Sequence, residues 1–420
     1  MKSTVWQLVR DSAVATSDAG HAAHERALPA HKAAIAGIHA PAYQARGLFL
    51  GFLVSIFVIN GGVSNAIAIL CFLAAWFLLV QRIGAGALQR PAVDRALLLF
   101  LAAVTVRLVL PPYGAADVVP GAAISRVALV VGLFGLVALV YAEVSFRQML
   151  WMLAVTTAVS AVAAFAIFAF NGFESAYAER MTFLGRAGHP IYGAGAVGAG
   201  LLAAISLLGF DKCSTRQRAL LAAMAACMAI GIFLAGSRGP MLSLTVALAL
   251  AALLVRSTSW KLMAACAFGT WGAITATVLA EPLLRPTLCP LIELACRPTD
   301  RYAAWIAALH QIAAHPLWGN GYAFRFEGVP HAHNGYFGIA LHYGLPILAL
   351  FIGVMIAALR NAAQMQNREE KFFVLALLFF ANAFMGSDLS DPMRFFNAHY
   401  LFLWFPICLA MVSVKRAPPT

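Results

Sequence analysis

Apolar residues run in long blocks along most of the chain, separated by short polar connections. The first block, Gly47 to Val80, is 34 residues long. As one helix it would measure ~50 Å at ~1.5 Å per residue, against ~30 Å for a bilayer core. The segment Asn60-Gly-Gly-Val-Ser-Asn65 interrupts it and predicts two shorter helices. Further blocks follow at about 96–110, 122–141, 149–170, 190–210, 219–236, 240–255, 262–280, 335–358, 372–387 and 398–414. The pattern predicts an all-α, polytopic membrane protein with about twelve transmembrane helices. A transmembrane barrel is excluded, because its strands would alternate over segments of ~10 residues. Spans one to nine fall in 47–280 and spans ten to twelve in 335–414. Residues 1–46 form a polar, disordered tail in this reading, 281–334 a long loop, and 415–420 a short tail. The tail carries four histidines, too loosely spaced to read as a metal site.

Composition narrows the class further. Hydrophobic residues make up 62% of the chain and charged residues 11%, with a mean hydropathy of +0.82. Soluble domains carry roughly 25% charged residues. A cytosolic enzyme, a disordered chain and a disulfide scaffold are therefore excluded.

A net charge of +12 raises the question of nucleic acid, and its distribution answers it. One set of connections, with the N-terminal tail, holds nineteen of the 29 basic residues, including Arg82, Arg147, Arg256, Lys261, Arg360 and Lys371. The acids divide almost evenly, so that side carries +11 and the other +1. Such asymmetry orients a membrane protein with its basic side in the cytoplasm. An even number of spans then puts both termini there, and no nucleic-acid partner is needed.

The basic residues of the opposite side differ in kind. All six lysines fall on the inner side, and the ten outer basic residues are all arginines. Arginine grips phosphate through a planar, bidentate fork. Arg107, Arg126 and Arg394 are expected simply to snorkel at helix ends. Arg186 lies in Gly185-Arg-Ala-Gly-His-Pro190, ahead of the glycine-rich stretch Tyr192–Gly200. Glycines there let helices or a lipid tail approach closely. Arg238 lies in Gly236-Ser-Arg-Gly-Pro240, between two apolar helices with almost no loop. At that depth an arginine is costly unless it lines a cavity or meets an anion.

The long loop predicts one amphipathic helix over 301–314, capped by Asp300, with Tyr302, Trp305, Ile306 and Leu309 on one side, lying on or near the membrane surface. Cys289 and Cys296 share this loop, and the sequence leaves open whether they pair. The loop ends in Val329-Pro-His-Ala-His-Asn-Gly-Tyr336. A histidine here can act as a general base near neutral pH. On residue chemistry alone that reading stands level with a capping Asn334 beside interfacial histidines. His331 and His333 lack evident third and fourth metal ligands. Asp388 and Asp391 read as a helix cap or as partners of Arg394 rather than as divalent-ion ligands. No Walker motif or nucleophile elbow occurs in a suitable context. No metal or other cofactor is expected.

Three motifs in this order, Gly185–Pro190, Gly236-Ser-Arg-Gly239 and His331–Tyr336, form a pattern. With them come Asp300-Arg-Tyr-Ala-Ala-Trp305 and Pro316-Leu-Trp-Gly-Asn-Gly321. The chain resembles the O-antigen ligase family and its relatives, the O-antigen polymerases and bacterial protein O-oligosaccharyltransferases. The resemblance is strongest over about 180–345. It implies an inner-membrane glycosyltransferase of the GT-C type with a helical periplasmic loop and a periplasmic active site. The implied donor is an O-antigen glycan on undecaprenyl pyrophosphate, and the implied acceptor is lipid A-core. It also implies His333, with His331 beside it, as the catalytic base. Arg186, Arg238, Arg301, Asn334 and Tyr336 become the substrate-binding residues. Two other readings remain: a polymerase using the same donor chemistry, and a transporter or flippase of a lipid-linked anion. The absence of an internal sequence repeat speaks against the transporter.

Overall fold

The computed structural model describes residues 41–84, 95–109, 120–210, 213–288, 301–321, 324–326, 331–393 and 395–413. Asp300, Arg394, Cys289, Cys296 and most of both tails lie outside the described residues. The helices are α1 over 41–57, α2 Gly61–Gly84, α3 Arg95–Val109, α4 Pro120–Glu143, α5 Phe146–Phe170 and α6 Pro190–Phe210. There follow α7 Thr215–Leu234, α8 Arg238–Leu254, α9 Trp260–Leu279, α10 Glu281–Leu288 and α11 Arg301–Ala314. The last are α12 Gly335–Tyr343, α13 Leu345–Ala363, α14 Arg368–Ser387 and α15 Phe405–Ser413. A π turn over Tyr400–Trp404 leads into α15. The chain is all-helical among the described residues, apart from one isolated bridge between Ser175 and Ala178.

Eight helices are long and apolar enough to cross a membrane among the described residues: α2, α4, α5, α6, α7, α9, α13 and α14. The protein is thus a polytopic helical membrane protein. Helices α1, α3, α8 and the 400–413 segment occupy the other four apolar blocks. The helix α1 begins before residue 46, so the predicted tail boundary falls inside it.

Helix starts at one end of the bundle are written in short polar side chains. Ser145, Ser214, Ser259 and Asn367 cap α5, α7, α9 and α14 by accepting hydrogen bonds from first-turn N–H groups. Ser214 and Gln217 complete a reciprocal capping box. The same end gathers basic residues. Arg82 pairs with Glu143, Arg46 donates to Gln148 at 2.9 Å, and Lys371 donates to the carbonyls of Ser257 at 2.6 Å and Ala363 at 2.9 Å. Arg186 meets the opposite end of α2, a helix of 24 residues and so ~36 Å long.

Helix α14 is the axis of the bundle. Its apolar span is 94% buried, whereas that of α9 is 11% buried and faces outward along most of its length. The glycine-rich face of α6 packs against helices rather than a lipid tail. A side chain at Gly195 would lie 2.7 Å from the Phe402 ring, and one at Gly200 2.4 Å from Thr157. The predicted span 335–358 is broken. Gly344, at φ 93°, separates α12 from α13, and Pro346 sits in the first turn of α13. A β-carbon at Gly344 would come within 2.1 Å of the Leu317 carbonyl, so the 315–321 turn occupies the space a side chain would need. Helix α11 forms where predicted, but its buried face is Ala304, Trp305, Ala308 and Ile312, packed on α12. It docks on protein and does not merely rest on a surface.

Candidate functional site

Arg180 is the organising residue of the end opposite the basic one. The loop after α5 turns through the left-handed Gly172 and Phe173. Ser175 Oγ then donates to the Arg180 carbonyl at 2.7 Å, and Met181 N–H donates to the Leu234 carbonyl at 3.0 Å. So held, the Arg180 side chain reaches the α7–α8 junction. Its Nε donates to the Ala235 carbonyl at 2.9 Å and its Nη2 to Ser237 Oγ at 2.8 Å.

That junction is as short as the sequence indicated. Gly236 takes φ 60° and Arg238 opens α8. Arg180, Arg238 and Arg301 line one cavity of about 280 Å³ with Ser237, Gly239 and Asp388. Asp388 ends α14, is 2% exposed, and accepts a hydrogen bond from Arg301 Nη2 at 2.6 Å. Its other oxygen packs on the α8 N-terminus, so closely that a β-carbon at Gly239 would fall 1.4 Å from it. The free N–H groups of a helix start favour an anion there. Three guanidinium groups against one carboxylate leave the cavity with a positive excess. Burial lowers the proton affinity of Arg180, with Asp388 and Tyr177 acting in the opposite sense. A guanidinium nevertheless keeps its charge, since its usual pKa exceeds ~12.

Three histidines lie at the same end of the bundle. Asn334 Nδ2 donates to the Gly386 carbonyl at 3.4 Å, which sets His333 beside the end of α14 that carries Asp388. His333 has φ 50°, a left-handed conformation that costs a non-glycine residue ~1–2 kcal/mol. Such backbone strain clusters at functional sites. His331 Nδ1 accepts from the His333 N–H at 3.3 Å, and the two rings lie 3.9 Å apart. His189 stands between Tyr177 and Tyr192, with centroids at 5.1 and 5.5 Å. Its Nδ1 accepts from the Ile191 N–H at 3.2 Å, so the neutral ring carries its proton on Nε2. Its pKa is lowered by burial first, then by Arg180 and His333, while Asp388 acts in the opposite sense.

The sequence-based site is only partly assembled. Arg238 and Arg301 share the arginine cavity, His333 lies beside the end of α14 that carries Asp388, and His331 lines a separate small cavity of about 30 Å³ that also touches Arg325 and Asp391. Arg186 does not line the arginine cavity. It sits in a 3-10 turn and binds the start of α2, donating to the Gly61 carbonyl at 2.6 Å, Asn65 at 2.5 Å and Ser64 at 3.2 Å. Asn334 is fully buried and caps α12 by accepting from Tyr336 and Phe337 N–H. Tyr336 is fully buried too, and its hydroxyl donates to Asn382. Neither is open to a substrate.

Asp388 and Asp391 have different partners. Asp388 pairs with Arg301, and Asp391 accepts from Tyr343 at 3.3 Å and from Met393 N–H at 2.9 Å. Arg107 and Arg126 do not snorkel. They are 6% and 8% exposed, and Arg107 Nε donates to the Trp318 carbonyl at 2.6 Å, fastening the 315–321 turn. The residues that sequence reasoning missed are Arg180, His189 and the role of Asp388. The only available signal for Arg180 was its place in the same outer loop as Arg186.

No protein-family model matches the chain, and no curated protein is significantly similar to it. Fold and site together define a multi-pass membrane protein, all-helical among the described residues, with an arginine-lined cavity at one end of its bundle.

Proposed function

We propose that the protein is an O-antigen ligase, a glycosyltransferase that moves a glycan en bloc from undecaprenyl pyrophosphate to a hydroxyl of lipid A-core. The observation that carries this reading is the cavity lined by Arg180, Arg238 and Arg301, with His333 held by its neighbour Asn334 beside the α14 end that supplies Asp388 to that cavity. In this reading the chain crosses a bacterial inner membrane twelve times with its basic end in the cytoplasm, and the cavity faces the periplasm. The pyrophosphate of the donor lies among the three guanidinium groups and the start of α8.

The acceptor oxygen attacks the anomeric carbon while the bond from that carbon to the phosphate oxygen breaks. The acceptor proton passes to His333, and undecaprenyl pyrophosphate leaves with the bonding electrons. The arginines stabilise the charge that develops on it. A single displacement inverts the anomeric carbon. Asp388 holds Arg301 in position and limits the excess charge of the cavity.

Reconstitution of the purified chain with lipid-linked O-antigen and lipid A-core tests the reading. Block transfer to the core is the expected result. Growth of the lipid-linked chain would make the protein a polymerase, and translocation without bond formation would make it a transporter.

A further inference from the structure

Two histidines stand just before α12, and the transfer needs only one base. The bonding of His331 decides between them. Its Nδ1 accepts the backbone N–H of His333 at 3.3 Å. The lone pair of that nitrogen is thereby in use, and the neutral ring carries its proton on Nε2. A base must offer a lone pair to the acceptor proton. Neutral His331 has none to offer unless it gives up the His333 N–H.

What His331 holds is the strained residue. His333 is at φ 50°, and a left-handed residue other than glycine persists only where its surroundings over-determine it. They do so from both sides. Ala332, before it, is 2% exposed and packs in the small core that α11 and α12 share. Asn334, after it, is fully buried, accepts from the N–H groups of Tyr336 at 3.1 Å and Phe337 at 3.2 Å, and donates to the Gly386 carbonyl. Between these anchors His331 takes the His333 N–H, and its ring lies against the His333 ring, 3.9 Å between centroids and tilted by 55°. One side chain thus sets both the backbone and the ring of its neighbour.

His331 is itself backed by polar groups. It lines the cavity of about 30 Å³ together with His342, Ser390 and Asp391. That volume takes a water or two, at ~10–15 Å³ each by this measure. Gly338 lets α12 press on the Ser390 carbonyl, where any side chain would collide. Asp391 is fixed there by Tyr343 Oη and the Met393 N–H, and a carboxylate with about four acceptor positions can take more. The cavity therefore supplies acceptors for an Nε2–H, directly or through water. That favours the tautomer which leaves Nδ1 to the His333 backbone.

We infer that His331 is a positioning residue and not a second base: its Nδ1 locks the left-handed backbone of His333, and its ring sets the His333 imidazole. What His333 then does rests on the ligase reading, whereas the lock itself rests on the geometry alone.

Two substitutions separate the roles. Asparagine puts an amide oxygen where Nδ1 stands, and glutamine puts its amide nearer the place of Nε2. In single-turnover transfer by the full chain with lipid-linked O-antigen and lipid A-core, His331→Ala and His331→Gln should each lose about 10²-fold, the cost of a misplaced reacting group. His331→Asn should keep most of the native rate, and donor affinity should be unchanged in all three. Asparagine as inactive as alanine would make His331 a base. Asparagine and glutamine alike, each falling in step with its melting temperature, would reduce it to packing. Either overturns the inference, and the asparagine and glutamine pair carries the test if His331→Ala fails to fold. A second measurement needs no glycan. In the full chain with nitrogen-15-labelled histidine, the ring signals of His331, identified by their loss in His331→Asn, should show the Nε2–H tautomer. An Nδ1–H tautomer would overturn the lock. A native chain that shows the Nε2–H tautomer yet transfers no glycan would remove the ligase reading and leave the lock standing.

Discussion

Exchanging His333 for glycine and for alanine should give two proteins that are both nearly inactive but unequal in stability. The residue sits at φ 50°. Alanine inherits the left-handed penalty of ~1–2 kcal/mol, and glycine does not. Glycine instead loses ~0.5–1 kcal/mol through the extra freedom of its unfolded chain. Both variants lose the same imidazole and its contact with His331, so that loss cancels between them. The glycine protein should therefore be more stable than the alanine protein by ~0.5–1 kcal/mol. If His333 is the base, transfer in a single turnover should fall ~10²–10⁴-fold in both, with donor affinity unchanged. The assay pairs thermal melting in one detergent with donor binding and single-turnover transfer on the same preparations. An alanine protein at least as stable as the glycine one would refute the strain argument. Normal transfer by a folded His333→Ala protein would sink the mechanism, and His331 would be tested next.

The arginine cavity makes a contrasting prediction. Arg180→Ala, Arg238→Ala and Arg301→Ala should each weaken donor binding as well as turnover, and lysine should restore only part of it; unchanged donor affinity in all three would remove the cavity from the donor site. Gly239→Ala should force the Asp388 carboxylate off Arg301, costing ~1–3 kcal/mol of stability as overpacking does, and a fully active, equally stable variant would contradict the packing. His189 has its pKa lowered below the usual ~6.5, so its share of stability is present above that value and is lost as pH falls below it. His189→Gln should flatten the dependence of melting temperature on pH below about 6.5, and identical profiles would count against a buried neutral His189. Tags at residue 20 and residue 418 should report the cytoplasm and one near Leu291 the periplasm; a periplasmic terminus would place the arginine cavity in the wrong compartment.

Helix positions were legible because lipid and protein interior demand the same thing of a sequence here, a continuous apolar block. What that demand leaves invisible is which blocks face which. Helix α14 and helix α9 look alike in sequence, yet one is the axis and the other mostly faces out. The break at Gly344 was missed for a related reason. A glycine followed two residues later by proline inside an apolar run is a weak mark. What makes it a break is the Leu317 carbonyl lying where a side chain would be, a contact across 27 positions of sequence. Likewise the stripe of α11 was placed about a quarter turn off its true face, since the partner that selects Ala304, Trp305 and Ala308 is α12.

The arginines show where local chemistry stops being informative. Arg186 and Arg238 have nearly the same neighbourhood in sequence, a small residue before, a small residue after and a proline soon following. Both promised a phosphate ligand. The structure separates them by what their backbones are attached to. Arg238 opens a helix whose first residues line a cavity, and two further arginines converge there from 58 residues upstream and 63 downstream. Arg186 opens no helix. Its turn is wedged against the end of α1, where a β-carbon at Gly185 would sit 2.7 Å from the Ile56 carbonyl. Its guanidinium is thereby delivered to the Gly61 carbonyl, Ser64 and Asn65, which use its donors before any substrate arrives. An arginine whose hydrogen bonds go to neutral groups of its own protein keeps its charge but loses much of its fork. Arg186→Ala should accordingly loosen the α1–α2 connection and lower melting temperature, while Arg238→Ala acts first on donor binding. Equal loss of donor affinity in the two, with no melting difference, would return Arg186 to the pyrophosphate site and reject this division of labour.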